Sequence, residues 1–484
     1  MLETKRRDRS PTEAGTPKSL ATYLDRIRFD PAECRTVSRR IDPQNFEVTA
    51  ILEHLDGRKE YPTVVFENPL DMHGEPSRFQ LVSNLFATRE RCADMLEIPR
   101  AESGRQLGPR YAELVNQKRE PVVVDSDSAP AQAHVLQGKQ ADMHILPAVR
   151  HFEMDLGAVL TMALAMHQPG EDFYNITFVK TFPETGDRGG LTIHSAHMSR
   201  ITRAWERRGQ PFPVVNILGH HPAFWLGSMA STPWGDNEYA TVGGFLREPL
   251  RLAPSVTWGR DFLVPADAEI IIEGEIDAVE RTIVDPFGEI SRQYQPQELA
   301  PVMHVKAITY RDGAMLQDIF SGHPEHMLLG SIPREGSLMK HLRQTVGDNV
   351  LAVHVPNSGV GRFTAYIAMS KTSEGQPKLA ALQAIAQAQN LQTVVVVDDD
   401  IDVFNEEDVL WAVNTYVDPA RDIDLIKNLR PPSDPRGLGS SRVLIDATRP
   451  THKAFPTRLR VPPEAMEKVR LEEWLDPAPG RGES

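Results

Sequence analysis

The spacing of apolar and polar positions changes along the chain, and each change marks a new type of region. From residues 19 to 148, short apolar runs alternate with amphipathic stretches, which predicts an N-terminal α/β lobe. The segment SLATYLDRI (19–27) is typical of a capped helix, and YPTVVFENP (61–69) of a strand. We interpret NFEVTAILEHL (45–55) as strand-like and SRFQLVSNLFATRERCADML (77–96) as one amphipathic helix.

The middle of the chain, residues 149–320, is dominated by β-branched runs. VVNIL, EIIIEGEI and VMHVKAITY recur there with turn signals between them. Short strands spaced in this way predict a compact β-rich domain.

The C-terminal part, residues 321–484, has a different rhythm. The helical stretches KLAALQAIAQAQN and EEDVLWAVNTYV lie on either side of the apolar run TVVVV, which favours a parallel sheet. The predicted fold class is therefore α/β in several domains, with a β-rich centre.

The two ends of the chain differ from the regions between them. Residues 1–18 mix charge with Pro, Ser, Thr and Gly, so we expect a flexible lead-in that cannot bury enough apolar surface to fold. The tail PPEAMEKVRLEEWL (462–475) predicts an amphipathic helix that packs on a neighbouring copy.

Composition narrows the functional classes. The 484 residues are 40% hydrophobic and 25% charged, which is typical of a globular protein. The 53 Lys and Arg against 67 Asp and Glu give a net charge of −14, which argues against nucleic acid as a partner. Cys34 and Cys92 are too few for a disulfide framework or a cysteine-rich zinc site, so a reducing, cytoplasmic location fits. We find no run of 18 apolar residues and expect no membrane span.

Three separated residues offer ligands for a divalent cation. Asn175 lies in NITFVK, His197 in SAHMSRI and Glu248 in GGFLREP. Oxygen ligands with a single nitrogen suit Mn²⁺, Mg²⁺ or Fe²⁺ better than thiophilic metals. On spacing alone, His197 could equally open an amphipathic helix and Glu248 could be a solvated loop acid, so both interpretations stay open.

The chain from Asn175 to Thr448 resembles the UbiD family of prenylated-FMN-dependent decarboxylases. The order and approximate spacing of several segments carry the resemblance. These segments are NITFVK, SAHMSRI, NEYATVGGFLREPLRL, DFLVPADAEIIIEGEI, VDPFGEISRQYQ, MLLGSIPRE, VVVVDDDIDVFNEEDVLWAVNTYVDPARD and GLGSSRVLIDAT.

The resemblance implies a split β-barrel that binds the flavin in the centre of the chain. It also implies which residues coordinate a metal ion. Asn175, His197 and Glu248 would coordinate a Mn²⁺ that also takes the phosphate of prenylated FMN. A K⁺ would lie nearby, held by backbone oxygens around Ser228 and Met229 together with Glu248.

Further cofactor contacts follow from the same resemblance. They would come from Thr177, Phe178, Val179 and Lys180 on the strand that carries Asn175, and from Arg442 near the C-terminus. The resemblance also implies a flavin prenyltransferase as supplier of the cofactor, and a homodimer or homohexamer.

The catalytic network departs from the family pattern of Glu, Arg and Glu. Lys180 stands at the place of the Arg and Val284 at the place of the first Glu, whereas Glu289 is retained. We expect Glu289 to donate the proton, with a pKa raised by an apolar pocket, and Lys180 to pair with it or with a substrate carboxylate. Asp285 lies beside the missing acid, but adjacent residues of an extended segment point to opposite sides.

The expected function is reversible decarboxylation of an aromatic, heteroaromatic or α,β-unsaturated carboxylic acid. Val284, Leu328 and Leu329 are expected to contact a flat apolar substrate. The alternative is a non-catalytic or partner-dependent cofactor-binding subunit of a multi-subunit carboxylase, against which the retained ligand set argues.

Overall fold

The computed structural model describes residues 17–284, 286–429 and 441–475, which form three sets of elements. The first set is α1 (Leu20–Ile27), β1 (Cys34–Ile41), α2 (Glu47–Gly57), β2 (Thr63–Pro69), β3 (Gln80–Ser83), α3 (Arg89–Met95) and α4 (Leu107–Val115). The second is β4 (Val122–Val123), β5 (His134–Gln137), β6 (Leu160–His167), β7 (Tyr174–Thr185), β8 (Arg188–Thr192), α5 (Ala196–Glu206), β9 (Phe212–Leu218), α6 (Pro222–Ser228), α7 (Glu238–Leu246), β10 (Arg251–Ser255), β11 (Gly259–Pro265), β12 (Ile270–Val284), β13 (Phe287–Gly288), β14 (Tyr294–Gln295), β15 (Glu298–Tyr310) and β16 (Met315–Gln317). The third is α8 (Pro324–Thr345), β17 (Val350–His354), β18 (Thr364–Met369), α9 (Gln376–Gln387), β19 (Thr393–Asp398), α10 (Glu406–Tyr416), α11 (Pro419–Asp422), β20 (Ile423–Ile426), β21 (Arg442–Ala447), α12 (Pro463–Lys468) and α13 (Leu471–Trp474).

The N-terminal lobe confirms the α/β prediction but corrects two of its elements. Its sheet has the order β1-β2-β3-β16. The segment interpreted as strand-like forms helix α2, because Val48 and Leu52 are buried one helical turn apart. The segment interpreted as a single helix is strand β3 followed by helix α3, which begins where the Thr88 side chain accepts a hydrogen bond from the backbone N–H of Arg91.

The central region is a closed six-stranded barrel, as the β-branched runs predict. Its strands follow the order β12-β9-β6-β7-β8-β15, and pairing of β15 with β12 closes the ring. Strand β5 pairs with the C-terminal end of β15. Strand β7 lies between β6 and β8, with Asn175 opposite Met166 and Lys180 opposite both Thr161 and Thr192.

The C-terminal region contains the parallel sheet that the alternation of helices and strands predicts. Strands β18, β19 and β21 run parallel within the order β17-β18-β19-β21-β20. The predicted tail helix is instead two short helices, α12 and α13, and Trp474 is 62% exposed. A search of the described residues finds no helix of the length and apolarity that a bilayer crossing requires.

Helix α8 connects the N-terminal lobe to the C-terminal region through a buried carboxylate. Both oxygens of Glu335 accept hydrogen bonds from the Arg89 guanidinium, at 2.8 and 3.0 Å. His354 of the C-terminal sheet lies 2.7 Å from the same carboxylate. Burial alone would raise the pKa of Glu335, but Arg89 and His354 outweigh it and lower this pKa to about 2.

We predict that Glu335→Gln lowers the free energy of unfolding by about 3–5 kcal/mol, because it leaves the Arg89 charge buried without its partner. The pKa of Glu335 is depressed, so its stabilisation is complete above about pH 4.5 and fades as the pH falls towards 2. Urea denaturation at pH 7 and at pH 3.5 measures this deficit, which should shrink at the lower pH. Asp424→Asn breaks an exposed pair with Lys378 and serves as control, with an expected change of about 0.5 kcal/mol or less. A Glu335→Gln deficit that is the same at both pH values would contradict the account.

Candidate active site

Two adjoining cavities lie where the barrel meets helix α8. The smaller, of about 270 Å³, is bounded by the start of β7, the first turn of α5 and the end of α6. The larger, of about 450 Å³, extends along β7 towards α8 and the C-terminal region. Thr177, Ser195 and Met229 line both cavities, so the two form one cleft.

Strand β7 carries polar side chains to both ends of this cleft. Asn175 lies at its start in the smaller cavity, and Lys180 lies five residues later in the larger one. An extended strand advances about 3.3 Å per residue, so the two positions are about 17 Å apart along the strand. The cleft therefore has two chemically different ends, held at a fixed separation.

The smaller cavity brings together an amide, an imidazole and a carboxylate. Asn175 Nδ2 lies 3.4 Å from His197 Nδ1, and His197 Nδ1 lies 3.9 Å from Glu238 Oε1. Glu238 accepts hydrogen bonds from the backbone N–H of Ile176 (2.5 Å) and from the hydroxyl of Thr232 (2.7 Å), which fix its carboxylate in place. Asn175 Oδ1 is buried and has no hydrogen-bond partner among the described residues.

This donor set fits a divalent cation. A buried amide oxygen without a partner is costly unless a ligand satisfies it. The O and N atoms of an amide are assigned from their hydrogen bonds, and exchanging them would turn the oxygen towards His197. One carboxylate, one amide oxygen and one imidazole nitrogen then surround a common point, the mixture that Mn²⁺ or Fe²⁺ accepts.

The carboxylate of this cluster is Glu238. Glu248, the acid that the sequence analysis assigned to the metal, does not lie beside Asn175 and His197. Glu238 opens helix α7, whereas Glu248 follows the C-terminal end of that helix. Nine helical residues span about 13 Å, so the two acids lie at opposite ends of the helix. Glu248 instead accepts a hydrogen bond from the backbone N–H of Lys18 at 2.9 Å.

The larger cavity contains a buried ion pair. Lys180 Nζ donates to Glu289 Oε1 at 2.6 Å, and the ammonium lies 4.8 Å from the centre of the Phe287 ring. Their side chains are only 9% and 19% exposed. Burial raises the pKa of Glu289, but Lys180 outweighs that effect and the net pKa lies well below its usual range. This reverses the raised pKa expected from the sequence, because the pocket supplies a cation rather than only apolar walls.

Besides Lys180 and His194, three basic side chains line the larger cavity, and the sequence analysis gave them no role in the site. His326 and Arg334 lie eight residues apart on one face of α8, and Arg362 follows the turn after β17. Burial lowers the pKa of His326 to about 3, and the backbone N–H of Gly322 donates to its Nδ1, so the neutral ring carries its proton on Nε2. Burial and the nearby Arg362 lower the pKa of Arg334 to about 9.

Neither arginine forms an ion pair with an acid within the part of the chain that the structure describes, although Glu289 is near enough to Arg362 to oppose the lowering of its pKa by burial. Arg334 donates to the backbone carbonyls of Gly330 and Gly361. The Nε of Arg362 is buried without a hydrogen-bond partner among the described residues. The two guanidinium groups thus leave donors available for an anion in the cavity.

The other site residues predicted from sequence divide into two groups. Those that line the larger cavity are Thr177, Phe178, Val179, Lys180, Glu289 and Leu329. Those that do not line it are Val284, which belongs to a separate small cavity beside Phe182, Leu328, which is 5% exposed in the core, and Arg442. Asp285 lies outside the described residues.

Arg442 is connected to the wall of the cleft by a hydrogen bond to the backbone. Its guanidinium donates to the carbonyl of Gln389 at 2.9 Å. The next residue, Asn390, lines the larger cavity. The cation therefore supports the wall of the cleft from behind.

Comparison with known proteins agrees with this architecture over most of the chain. A family model described as the 3-octaprenyl-4-hydroxybenzoate carboxy-lyase Rift-related domain matches residues 122–324. Models of the N-terminal and C-terminal domains of the same carboxy-lyase match residues 30–111 and 327–447. Gallate decarboxylase of Lactiplantibacillus plantarum is 24% identical over 477 residues, which cover 90% of this chain and 95% of that protein.

Solved structures show the same similarity. The UbiD-class enzyme HmfF from Pelotomaculum thermopropionicum, in complex with FMN, superposes with a TM-score of 0.86 at 30% identity over 94% of this chain and 100% of that chain. An evolved dimeric form of HmfF in complex with prFMN gives a TM-score of 0.84 at 30% identity, with coverage of 95% and 100%. The apo 3,4-dihydroxybenzoic acid decarboxylase AroY of Klebsiella pneumoniae gives 0.80 at 22% identity, with coverage of 93% and 99%, and shares the fold. The resemblance seen in the sequence is confirmed: the chain belongs to the UbiD family of carboxy-lyases.

Proposed function

We propose that the chain is a prenylated-FMN-dependent, reversible decarboxylase of an aromatic, heteroaromatic or α,β-unsaturated acid that carries a second acidic group. The observation that carries the proposal is the buried Lys180–Glu289 pair, in a cavity continuous with the cluster of Asn175, His197 and Glu238. Such a cleft suits an elongated cofactor with an anionic head, whose reactive end meets the ion pair.

The cofactor end of the cleft would be held by a metal. Asn175, His197 and Glu238 would coordinate Mn²⁺, or Fe²⁺ or Mg²⁺ in its place, and the metal would neutralise the phosphate of the flavin. Backbone oxygens at Ser228 and Met229, which line the same cavity, are proposed to hold K⁺. The complexes of HmfF with FMN and prFMN support a flavin in this chain. A flavin prenyltransferase would supply it.

The ion pair would deliver the proton that replaces CO₂. When bound, the prenylated flavin supplies the electron sink for the electron pair that the departing CO₂ leaves on carbon. Glu289 starts ionised because Lys180 lowers its pKa. An ionised Glu289 has no proton to donate, so it would take one from the Lys180 ammonium across their 2.6 Å hydrogen bond as it passes a proton to the substrate carbon, and Lys180 would regain its proton from water.

The paired arginines would select the substrate. A carboxylate is the usual partner of a buried guanidinium group, and neither Arg334 nor Arg362 forms an ion pair with an acid among the described residues. The carboxylate that leaves as CO₂ gains nothing from strong charge pairing, because such pairing stabilises the starting acid. The arginines therefore suit a second acidic group that stays on the product, and His326 Nε2–H adds a neutral donor.

We further propose a homodimer or homohexamer that uses the C-terminal tail. Met466, Leu471 and Trp474 are 64%, 61% and 62% exposed, respectively. Such apolar side chains on one short segment are typical of a surface that a second copy covers.

The direct test is production of the chain with and without a flavin prenyltransferase, followed by absorption spectra and CO₂ release from a panel of mono- and dicarboxylic aromatic and heteroaromatic acids. Flavin absorbance together with CO₂ release only after co-production is the expected result. A flavin-loaded chain that releases no CO₂ from any acid until a partner subunit is added would favour the non-catalytic subunit instead.

Glu238→Gln and Glu248→Gln form a matched pair at the two ends of helix α7. Glu238→Gln is expected to lower Mn²⁺ affinity by about 10–100-fold or more and to remove most of the flavin, because the only charged ligand of the cluster is lost. Glu248→Gln should retain both the Mn²⁺ affinity and the bound flavin. Metal analysis and flavin absorbance of the purified variants measure the two outcomes. Equal metal content in both variants would contradict the assignment of Glu238.

Lys180→Met is expected to shift to higher pH the limb of the pH–rate profile that follows the ionisation of Glu289. Removal of the cation leaves burial as the main influence on Glu289, and burial raises its pKa. Lys180→Arg keeps the charge and should leave that limb low, although its guanidinium is a poor proton source. The measurement is the initial rate of CO₂ release against pH for flavin-loaded enzyme. An unshifted limb in Lys180→Met would exclude Lys180 as the group that sets the ionisation of Glu289.

Arg362→Gln is expected to weaken the binding of dicarboxylic substrates more than that of monocarboxylic ones. Loss of a charge-assisted hydrogen bond costs about 1.5–3 kcal/mol, which corresponds to roughly a 10–150-fold rise in KM for a diacid. The matched monoacid should change by less than about threefold, because it has no group to bind there. Steady-state kinetics with both acids on flavin-loaded enzyme tests this. Equal losses for the two acids would rule out a role for Arg362 in binding the second acidic group.

A further inference from the structure

A second cluster of metal-binding side chains lies on the surface, outside the cleft. His73 belongs to the turn that follows β2, and Asp142 and His144 belong to the segment that leads into the barrel. One donor atom from each lies within 4.8 Å of the other two. None of the three lines the cavities of the active site.

Hydrogen bonds to the backbone hold the three side chains in place. The Asp71 carboxylate accepts from the backbone N–H of His73 at 2.9 Å, and the Asp142 carboxylate accepts from that of His144 at 2.8 Å. The backbone N–H of Met72 donates to the carbonyl of His144 at 2.9 Å. Two segments about 70 residues apart in sequence are thereby fixed against each other, so the ligand set is preorganised.

The donor groups already converge on one point. His73 Nε2 lies 2.8 Å from Asp142 Oδ2, and the rings of His73 and His144 are 5.5 Å apart at an angle of 72°. Gly186 leaves the space that the carboxylate occupies, because a Cβ at that position would lie 2.2 Å from Asp142 Oδ1. A side chain at residue 186 would therefore displace the central ligand.

We propose that His73, Asp142 and His144 form a binding site for a transition-metal ion, with Zn²⁺ as the best match. Two imidazoles and one carboxylate suit Zn²⁺, Ni²⁺ or Cu²⁺, whereas Mg²⁺ and Ca²⁺ prefer oxygen ligands alone. Bonds of about 2.0–2.2 Å to each donor require small rotations, which the 47% exposed His73 side chain can make. Water would complete the tetrahedron at the open side.

The ion would join the N-terminal lobe to the barrel. His73 follows a strand of the lobe sheet, and the segment of Asp142 and His144 is bonded to the β7–β8 turn through the Met143 N–H and the Gly186 carbonyl at 2.7 Å. A ligand that binds only the folded arrangement stabilises it in proportion to the logarithm of its concentration over Kd. The site thus has a structural role that is independent of decarboxylation.

Zinc titration of the Mn²⁺- and flavin-loaded enzyme tests the proposal, with calorimetry and metal analysis as readouts. Wild type is expected to take up one more equivalent of Zn²⁺ than His144→Ala, and Zn²⁺ should raise the Tm of wild type but not that of His144→Ala. His73→Ala, at an exposed position that can change without loss of the fold, should weaken Zn²⁺ binding by at least about 10–100-fold. Co²⁺ in place of Zn²⁺ should give the visible absorption of a tetrahedral site, and His144→Cys should keep it.

A matched control is available at the start of strand β5. His134 pairs with Asp312 at 2.7 Å, and its side chain is about as exposed as that of His73. Among the described residues, no third metal-binding side chain lies within reach of this pair. His134→Ala should therefore leave zinc stoichiometry and the Tm shift at wild-type values. Unchanged stoichiometry in both His73→Ala and His144→Ala, or an equal loss in His134→Ala, would overturn the proposal. All of these variants should retain flavin content.

Discussion

One strand sets the geometry on which the active site depends. Strand β7 is part of the wall of a closed barrel and pairs with a strand on each side. This pairing fixes the spacing between its residues. It presents Asn175 to one end of the cleft and Lys180 to the other, about 17 Å apart. The proposed metal-binding end and the proposed proton-transfer end are thus positioned by the register of a single strand. His197 and Glu238 come from helices α5 and α7, and Glu289 comes from the turn after β13.

The Lys180–Glu289 pair has fewer charged groups than the family pattern of Glu, Arg and Glu. Val284 stands where a first acid would be, and its side chain packs into the space left by Gly190, where a Cβ would lie 2.6 Å from it. One acid then remains, Glu289, and one ammonium, Lys180, pairs with it at 2.6 Å. A guanidinium in place of Lys180 would bring more donors than one carboxylate can satisfy. The loss of an acid and the change from Arg to Lys therefore compensate each other, and the positive charge available for a substrate comes from α8 and the turn after β17.

The sequence was sufficient for the architecture and for one end of the site. The alternating β-branched runs predicted the barrel, and the motif around Lys180 and Glu289 identified a pair that the fold brings into contact. Glu248 was expected as the carboxylate ligand and Glu238 was not considered, although the two acids flank the same apolar helix and Glu238 is the one that lies beside His197. A signal was present: an acid in the first turn of a fully buried helix is costly unless something pairs with it. His326 and Arg334 were missed because Leu328 and Leu329 seemed better contacts for an apolar substrate, although a spacing of eight residues places the two basic side chains on one helical face.

The central claim is that a metal bound by Asn175, His197 and Glu238 anchors the cofactor at one end of β7 while the Lys180–Glu289 pair lies at the other. A crystal structure of the flavin-loaded enzyme, with anomalous data collected at the manganese absorption edge, tests it most directly. The account predicts a peak bonded to the amide oxygen of Asn175, the His197 imidazole and the Glu238 carboxylate, with the ring system of the flavin beside Glu289. A peak bonded to Glu248, or a flavin ring remote from Glu289, would contradict it.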